Sequence, residues 1–117
     1  MVAVSPIEEI VAFNKERGLL VFNNDTELAL LEEELGELDF ACGDQDKNAM
    51  TDALCDIAVV AIGGLFKLGY DPTEALLETT KEIRSRQGAL NTITGKWEKY
   101  KDQDPSTLYS ANYVPVK

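Results

Sequence analysis

One predicted helix constrains the fold of this chain more than any other feature, because apolar side chains cover nearly its whole circumference. The helix is predicted over about residues 46–68, and after Asp56 its surface is almost entirely aliphatic. A helix that is apolar on all sides is stable only when other elements surround it. In a chain of 117 residues, we expect a partner subunit to supply part of that surface. A buried strand over 57–62 is the alternative, but no second apolar run is available to pair with it.

Capping signals predict three further helices. Ser5-Pro6-Ile7-Glu8 is a capping box with proline at the first helical position. Similar capping sequences, Asn24-Asp25-Thr26-Glu27 and Asp71-Pro72-Thr73-Glu74, begin two further helices, and glycines mark the ends of the predicted helices. The four predicted helices span 6–17, about 24–43, about 46–68 and about 72–87. The chain is therefore predicted to be all-α, a single domain over 1–117 that is completed by oligomerisation.

The tail over residues 88–117 has a different composition from the helices. It is rich in loop and turn residues, with a short helix predicted over 95–101. It also carries four large aromatic residues, namely Trp97, Tyr100, Tyr109 and Tyr113. This is too much aromatic surface for a disordered extension. We therefore expect the tail to pack on the helices or on a partner subunit.

The chain contains no histidine, which limits the chemistry available to it. Histidine-dependent nucleophilic triads, histidine-containing zinc sites and ferritin-like di-iron sites are excluded. Any reaction must use carboxylates, hydroxyls, lysine and arginine.

Charge is abundant and unevenly distributed. The chain has 21 acidic and 11 basic residues, a net charge of −10, which argues against a nucleic-acid polymer as partner. Most of the acids lie before residue 57, whereas the cations concentrate between Lys81 and Lys101. This distribution suits metal ions that bridge protein carboxylates and a phosphate ligand, although solvated helix faces are the alternative.

The sequence predicts a cytoplasmic protein. Cys42 and Cys55 lie in apolar surroundings and are interpreted as small buried side chains in a reducing compartment. The N-terminus lacks the pattern of a secretion signal. The longest weakly charged stretch, 57–66, is too short to span a bilayer, so no membrane partner is expected.

Five carboxylates on two predicted helices form a candidate metal site. On the second helix, a leucine stripe is expected to pack on the third helix, with Glu34 about 70° from its centre and Glu33 and Glu37 further round. On the third helix, Asp52 and Asp56 are four residues apart among small side chains. Such oxygen ligands suit magnesium, and the alternative for the run over 32–37 is a solvated helix face. The stripe comprises Leu28, Leu31, Leu35, Leu38 and Cys42.

The spacing of these acids resembles a known signature. Glu33-Glu34-Leu35-Gly36-Glu37 followed by Asp56 is similar to the EExxE and ExxD motifs of the all-α nucleoside triphosphate pyrophosphohydrolases, or MazG-like proteins. The first acid of the second motif is expected at position 53, where this chain has Ala53, and Asp52 stands one position earlier on the same side of the helix. The similarity to phage-type members extends over the segments 13–20, 68–71, 81–88, 95–97 and 109–113.

The resemblance implies a function and an assembly. It implies a four-helix MazG-like bundle that hydrolyses a nucleoside triphosphate, preferably a deoxynucleotide, to the monophosphate and pyrophosphate. It also implies dependence on Mg²⁺, with Mn²⁺ as a substitute, and a homodimer or homotetramer with sites at subunit interfaces. A dUTP-preferring member of the same superfamily and a non-enzymatic helical adaptor are the alternatives.

Phosphoryl-transfer chemistry then assigns roles to the candidate residues. Four acids hold the metal, and Glu33 positions or deprotonates the attacking water. Lys81 and Arg84 neutralise the leaving pyrophosphate, with Lys96 a weaker candidate and surface salt bridges the alternative for each cation. Trp97 and Phe13 are the candidates for stacking on the base, although core packing is the preferred interpretation of either residue. The metal ligands are Glu34, Glu37, Asp56 and Asp52.

Overall fold

The computed structural model describes residues 4–116 and is mostly helical, with one small antiparallel sheet. Its residues divide into two compact units, one over 4–72 together with 115–116 and one over Thr73–Val114. In chain order the elements are α1 (Pro6–Glu16), α2 (Asn24–Gly43), α3 (Lys47–Lys67), α4 (Pro72–Ser85), β1 (Gly88–Asn91), β2 (Lys96–Lys99) and a short 3-10 helix (Pro105–Thr107).

The predicted helices are confirmed to within two residues at each end. Side-chain caps fix the beginnings of the first three, because a polar side chain accepts a hydrogen bond from the backbone N–H three residues later. Ser5 caps α1 at 3.1 Å, Asn23 caps α2 at 3.0 Å and Asp46 caps α3 at 3.1 Å.

The face of α2 that packs on α3 overlaps the predicted leucine stripe only in part, at Leu31 and Leu38. Leu28 and Leu35 of that stripe are 58% and 61% exposed, and Cys42 is exposed as well. The buried face is rotated by about 60° from the stripe, at 100° per residue. Ala41 on α2 and Ala53 on α3 are buried, and small side chains at such positions let helices approach closely. The buried and half-buried residues on this face of α2 are Glu27, Leu31, Glu34, Leu38 and Ala41.

Two glycines let neighbouring segments pack against α3. A Cβ atom on Gly63 would lie 3.1 Å from the Nδ2 atom of Asn14, which is buried on α1. A Cβ atom on Gly64 would lie 3.4 Å from the ring of Phe22, in the segment before α2. The absence of side chains at 63 and 64 therefore helps place α1 and the start of α2 on the same helix.

Within one chain, α3 is only partly covered. Leu54 is 54% exposed, and 17% of the most apolar window of the helix is buried. By length and composition alone, α3 is long and apolar enough to cross a membrane, with 21 residues and a mean hydropathy of 1.7 over that window. The core helix of a soluble protein has the same composition, and Asp56 of α3 lies beside carboxylates of α2.

Both cysteines are free and exposed on the chain, so the prediction that they are buried is wrong. Cys42 belongs to the exposed part of the leucine stripe of α2, and Cys55 lies on the part of α3 next to the exposed Leu54.

The tail contains a β-hairpin where a short helix was predicted over 95–101, so the all-α prediction is wrong for this segment. β1 and β2 pair antiparallel, with Leu90 opposite Trp97. The side chain of Asn91 accepts hydrogen bonds from the N–H groups of Ile93 and Thr94, and Gly95 has a φ of 74°. A four-residue connection that ends in a left-handed glycine closes a hairpin and disfavours a helix across it.

The end of the tail packs along α4 inside the second unit. Glu78 accepts hydrogen bonds from the hydroxyl of Tyr109 at 2.5 Å and from the N–H of Asn112 at 2.9 Å. Glu82 accepts from the N–H of Ala111 at 2.9 Å, and the Tyr113 hydroxyl bonds to Thr79 at 2.7 Å. Two carboxylates of α4 therefore hold the segment 109–113.

Candidate metal centre

Three of the predicted metal ligands lie together between α2 and α3. One carboxylate oxygen from each of Glu34, Glu37 and Asp56 lies within 4.8 Å of the others. Oxygen ligands of one magnesium ion are at most about 4.2 Å apart, twice the Mg–O distance. Shifts of less than about 1 Å would therefore bring all three within reach of one ion. The i, i+3 spacing on α2 and the packing of α3 against that face produce this arrangement.

The environment of Glu34 fits a cation. Its Oε2 atom is buried and has no hydrogen-bond partner among the described residues. Burial, a hydrogen bond that protonated Glu34 donates to the carboxylate of Glu37, and the charges of Glu37 and Asp56 raise the pKa of Glu34 from 4.5 to about 7. A partly buried carboxylate among other carboxylates is costly without a counter-ion. A divalent cation bound here would give Oε2 the partner that it lacks and would balance the negative charge of the neighbouring carboxylates.

The other two predicted acids lie beside this cluster. Glu33 and Asp52 line an open hollow of about 490 Å³ between the end of α2 and the beginning of α3. Glu37 lines the same hollow, so it belongs both to the cluster and to the hollow. The structure thus brings all five acids into one region, with Asp52 outside the three-carboxylate cluster. Gly36, Ala41 and Ala49 also line the hollow and leave it open.

The predicted substrate-binding cations all lie in the second unit. Lys81 on α4 donates to the Oε2 atom of Glu78 at 2.9 Å, and its ammonium lies 5.8 Å from the centre of the Tyr109 ring. Arg84 on α4 and Lys96 on β2 are exposed and have no ion pair among the described residues. Lys81 is therefore already paired, whereas Arg84 and Lys96 are available to an anionic ligand.

Sequence reasoning missed a buried ion pair at the opposite end of the interface between α2 and α3. Glu27 is 3% exposed and pairs with Lys67, while its Oε2 atom has no partner among the described residues. Burial lowers the pKa of Lys67. The signal was present in the spacing, because Glu27, Glu34 and Ala41 repeat every seven residues and therefore share one face.

Comparison with protein-family models, with curated proteins and with solved structures finds no match to this chain. Any functional conclusion rests on the chemistry of the residues described above.

Proposed function

We propose that this protein hydrolyses nucleoside triphosphates, preferably deoxynucleotides, to the monophosphate and pyrophosphate in a magnesium-dependent reaction. The observation that carries the proposal is the grouping of Glu34, Glu37 and Asp56, with a buried Glu34 oxygen that lacks a partner among the described residues. The match of these acids to the MazG-like signature supports it.

The carboxylates have separate roles in this proposal. Glu34, Glu37 and Asp56 hold the ion, and Asp52 adds a ligand from the adjoining hollow through a side-chain rotation or a water molecule. A bound Mg²⁺, or Mn²⁺ in its place, supplies charge neutralisation for the phosphate oxygens and orients the triphosphate. Because all the protein ligands are oxygen atoms, the site suits these hard cations.

Glu33 and the basic residues complete the proposed reaction. Glu33, at the hollow, orients the attacking water and accepts its proton as the water oxygen bonds to the α-phosphorus. The bond from that phosphorus to the oxygen bridging the α- and β-phosphates breaks, and pyrophosphate leaves with the bridging oxygen. Arg84 and Lys96 neutralise the leaving group, and Lys81 joins them only by leaving its pairing with Glu78.

The proposed enzyme is a cytoplasmic homodimer or homotetramer. Part of the leucine stripe of α2, namely Leu28, Leu35 and Cys42, and much of α3 are exposed on a single chain, which is typical of surfaces covered in an assembly. The two free cysteines fit a reducing compartment.

The test is the release of pyrophosphate from a panel of nucleoside triphosphates with and without Mg²⁺. Wild-type protein should turn over several deoxynucleotides only with the metal. Glu37→Gln should reduce turnover about 100-fold or more, because it removes a charged ligand. Glu32→Gln is the matched control, since Glu32 is exposed on the same helix and belongs to neither the cluster nor the hollow.

Each alternative has its own outcome. Absence of turnover by folded wild-type protein would contradict the proposal and favour a non-enzymatic adaptor. The observation that supports an adaptor is the exposed apolar surface. Turnover of dUTP alone would favour the dUTP-preferring enzyme. If Asp52→Asn retains the wild-type rate and metal affinity, Asp52 does not belong to the metal site.

A further inference from the structure

A second hollow, of about 600 Å³, lies in the second unit and is basic and aromatic. Such combinations bind ligands that carry both an anionic group and a flat ring, because the cations attract the anion and the ring stacks on an aromatic side chain. Its cations and aromatic residues are Arg86, Lys96, Lys99, Lys101, Trp97 and Tyr100.

Trp97 is held in position by the hairpin. A Cβ atom on Gly88 would lie 2.7 Å from two atoms of the six-membered ring of Trp97, so the indole packs directly against the bare backbone of β1. Trp97 nevertheless remains 46% exposed, and the core packing preferred from the sequence is wrong for this residue. A fixed, half-exposed aromatic ring loses little conformational freedom when a ligand stacks on it.

The lysines of this hollow are not neutralised within the chain. Among residues 4–116, Lys96, Lys99 and Lys101 form no ion pair, while Arg86 pairs with Glu82 at 3.3 Å. The one carboxylate in the lining, Glu98, lies 3.3 Å from the amide nitrogen of Asn91. Three unpaired lysines and one carboxylate thus line the hollow, in a chain whose net charge is −10.

We propose that this hollow binds a nucleoside triphosphate without a metal ion, with the base stacked on Trp97 and the phosphates held by Lys99 and Lys101. The volume accommodates a single nucleotide. A nucleic-acid polymer is disfavoured as the ligand, because the net negative charge of the protein would repel the phosphates of any strand that extends beyond the hollow. Trp97, Lys99 and Lys101, which hold the nucleotide here, belong to the second unit and have no role in the proposed hydrolysis, so this binding is independent of turnover.

The experiment uses the fluorescence of Trp97, the single tryptophan of the chain. Full-length protein is titrated with ATP in EDTA, and N-acetyltryptophanamide corrects for light absorbed by the nucleotide. We expect saturable quenching, with weaker binding of adenosine, which lacks the phosphates, and of inorganic triphosphate, which lacks the base. Lys99→Gln combined with Lys101→Gln should weaken ATP binding about tenfold or more. Lys47→Gln is the matched control, as an exposed lysine at the start of α3, and should bind as the wild type does.

The outcomes separate this inference from the hydrolase proposal. Glu37→Gln should keep the metal-free quenching even though its turnover is lost. Absence of saturable quenching, or quenching that the double lysine variant leaves unchanged, would overturn the inference whatever the turnover assay shows. Tighter binding of a single-stranded oligonucleotide than of ATP would also overturn it, in favour of a nucleic-acid surface.

Discussion

Glu34 on α2 and Asp56 on α3 bring carboxylate oxygens within 4.8 Å of each other across a helix interface. The two residues are 22 positions apart in sequence, and the packing of α2 on α3 makes them neighbours. Like charges at this distance in a partly buried site oppose folding unless one is protonated or a cation lies between them. This unfavourable pairing is the basis for the first prediction.

Mg²⁺ should stabilise the protein more strongly as the pH rises through 7. Because the pKa of Glu34 is raised from 4.5 to about 7, the contribution of Glu34 to the stability of the metal-free fold is fully present below pH 4.5 and is lost as the pH rises to 7 and above. A cation binds the ionised carboxylate, so Mg²⁺ should raise the melting temperature by about 5 °C or more at pH 8 and by little at pH 5. Thermal unfolding with and without Mg²⁺ measures this difference.

Glu34→Gln provides the control for the first prediction. Without metal, this variant should be more stable than the wild type at pH 8, because an ionised group is replaced by a neutral one. It should also lose most of the stabilisation by Mg²⁺. A stabilisation by Mg²⁺ that is equal at pH 5 and pH 8 would contradict the placement of the ion beside Glu34.

Glu27→Gln should destabilise the fold by about 3 kcal/mol, because it leaves the Lys67 ammonium buried without its counter-charge. Urea unfolding followed by circular dichroism measures the change. The double variant Glu27→Met with Lys67→Met removes both charges and should recover to within about 1 kcal/mol of the wild type. If the single variant is as stable as the wild type, the ion pair is not buried as described.

Tyr109→Phe should weaken the contribution of Glu78 to the pH dependence of the free energy of unfolding. The hydrogen bonds from Tyr109, Asn112 and Lys81 lower the pKa of Glu78 from 4.5 to about 2. This group therefore stabilises the fold fully above pH 4.5, and the contribution is lost as the pH falls towards 2. Since Tyr109 is the largest cause, Tyr109→Phe should raise that pKa and make the acid loss of stability shallower.

Tyr113→Phe is the matched control for this prediction. The hydroxyl of Tyr113 bonds to Thr79 rather than to Glu78, so its removal should leave the acid dependence unchanged. Urea midpoints between pH 6 and pH 3 compare the three proteins. If the urea midpoints of Tyr109→Phe and wild type fall equally steeply with pH, Glu78 does not hold the tail.

Leu35→Glu should reduce the oligomeric state of the protein. Leu35 is 61% exposed in the centre of the leucine stripe, where a charge would oppose burial in a subunit interface. Light scattering after size exclusion should show a dimer or tetramer for the wild type and a smaller species for the variant. Ile93→Glu, at a side chain 94% exposed in the hairpin turn, should leave the assembly unchanged. A monomeric wild type would contradict the proposed assembly.

The helices were predictable from the sequence because their signals are local. The cap at Ser5, the proline at the first position of α4 (Pro72) and the glycines that follow the helices act within a few residues, which is enough to place element boundaries. The orientation of α2 was not predictable from its apolar pattern. Leu28, Leu35 and Cys42 of the leucine stripe are exposed on the single chain, whereas Leu31 and Leu38 lie on the face that contains Glu34 and packs on α3.

The hairpin was missed for a different physical reason. Its strands are four residues each and have little apolar alternation, so their pairing depends on the turn from Asn91 to Gly95 and on the contact of Trp97 with Gly88. At the site, helical spacing alone predicted that Glu34 and Glu37 lie close together. That Asp56 joins them while Asp52 lines the neighbouring hollow depends on the packing of α2 on α3, which no local pattern specifies.

Locating a bound ion would show directly whether the carboxylates between α2 and α3 form a metal site. Crystals grown with Mn²⁺ and a nonhydrolysable triphosphate analogue, measured at a wavelength where manganese scatters anomalously, show the position of the ion independently of any assumed ligand. If Glu34, Glu37 and Asp56 hold the ion, an anomalous peak should lie about 2.2 Å from their carboxylate oxygens. A peak elsewhere in a well-ordered crystal, or none between α2 and α3, would contradict a metal site formed by these carboxylates.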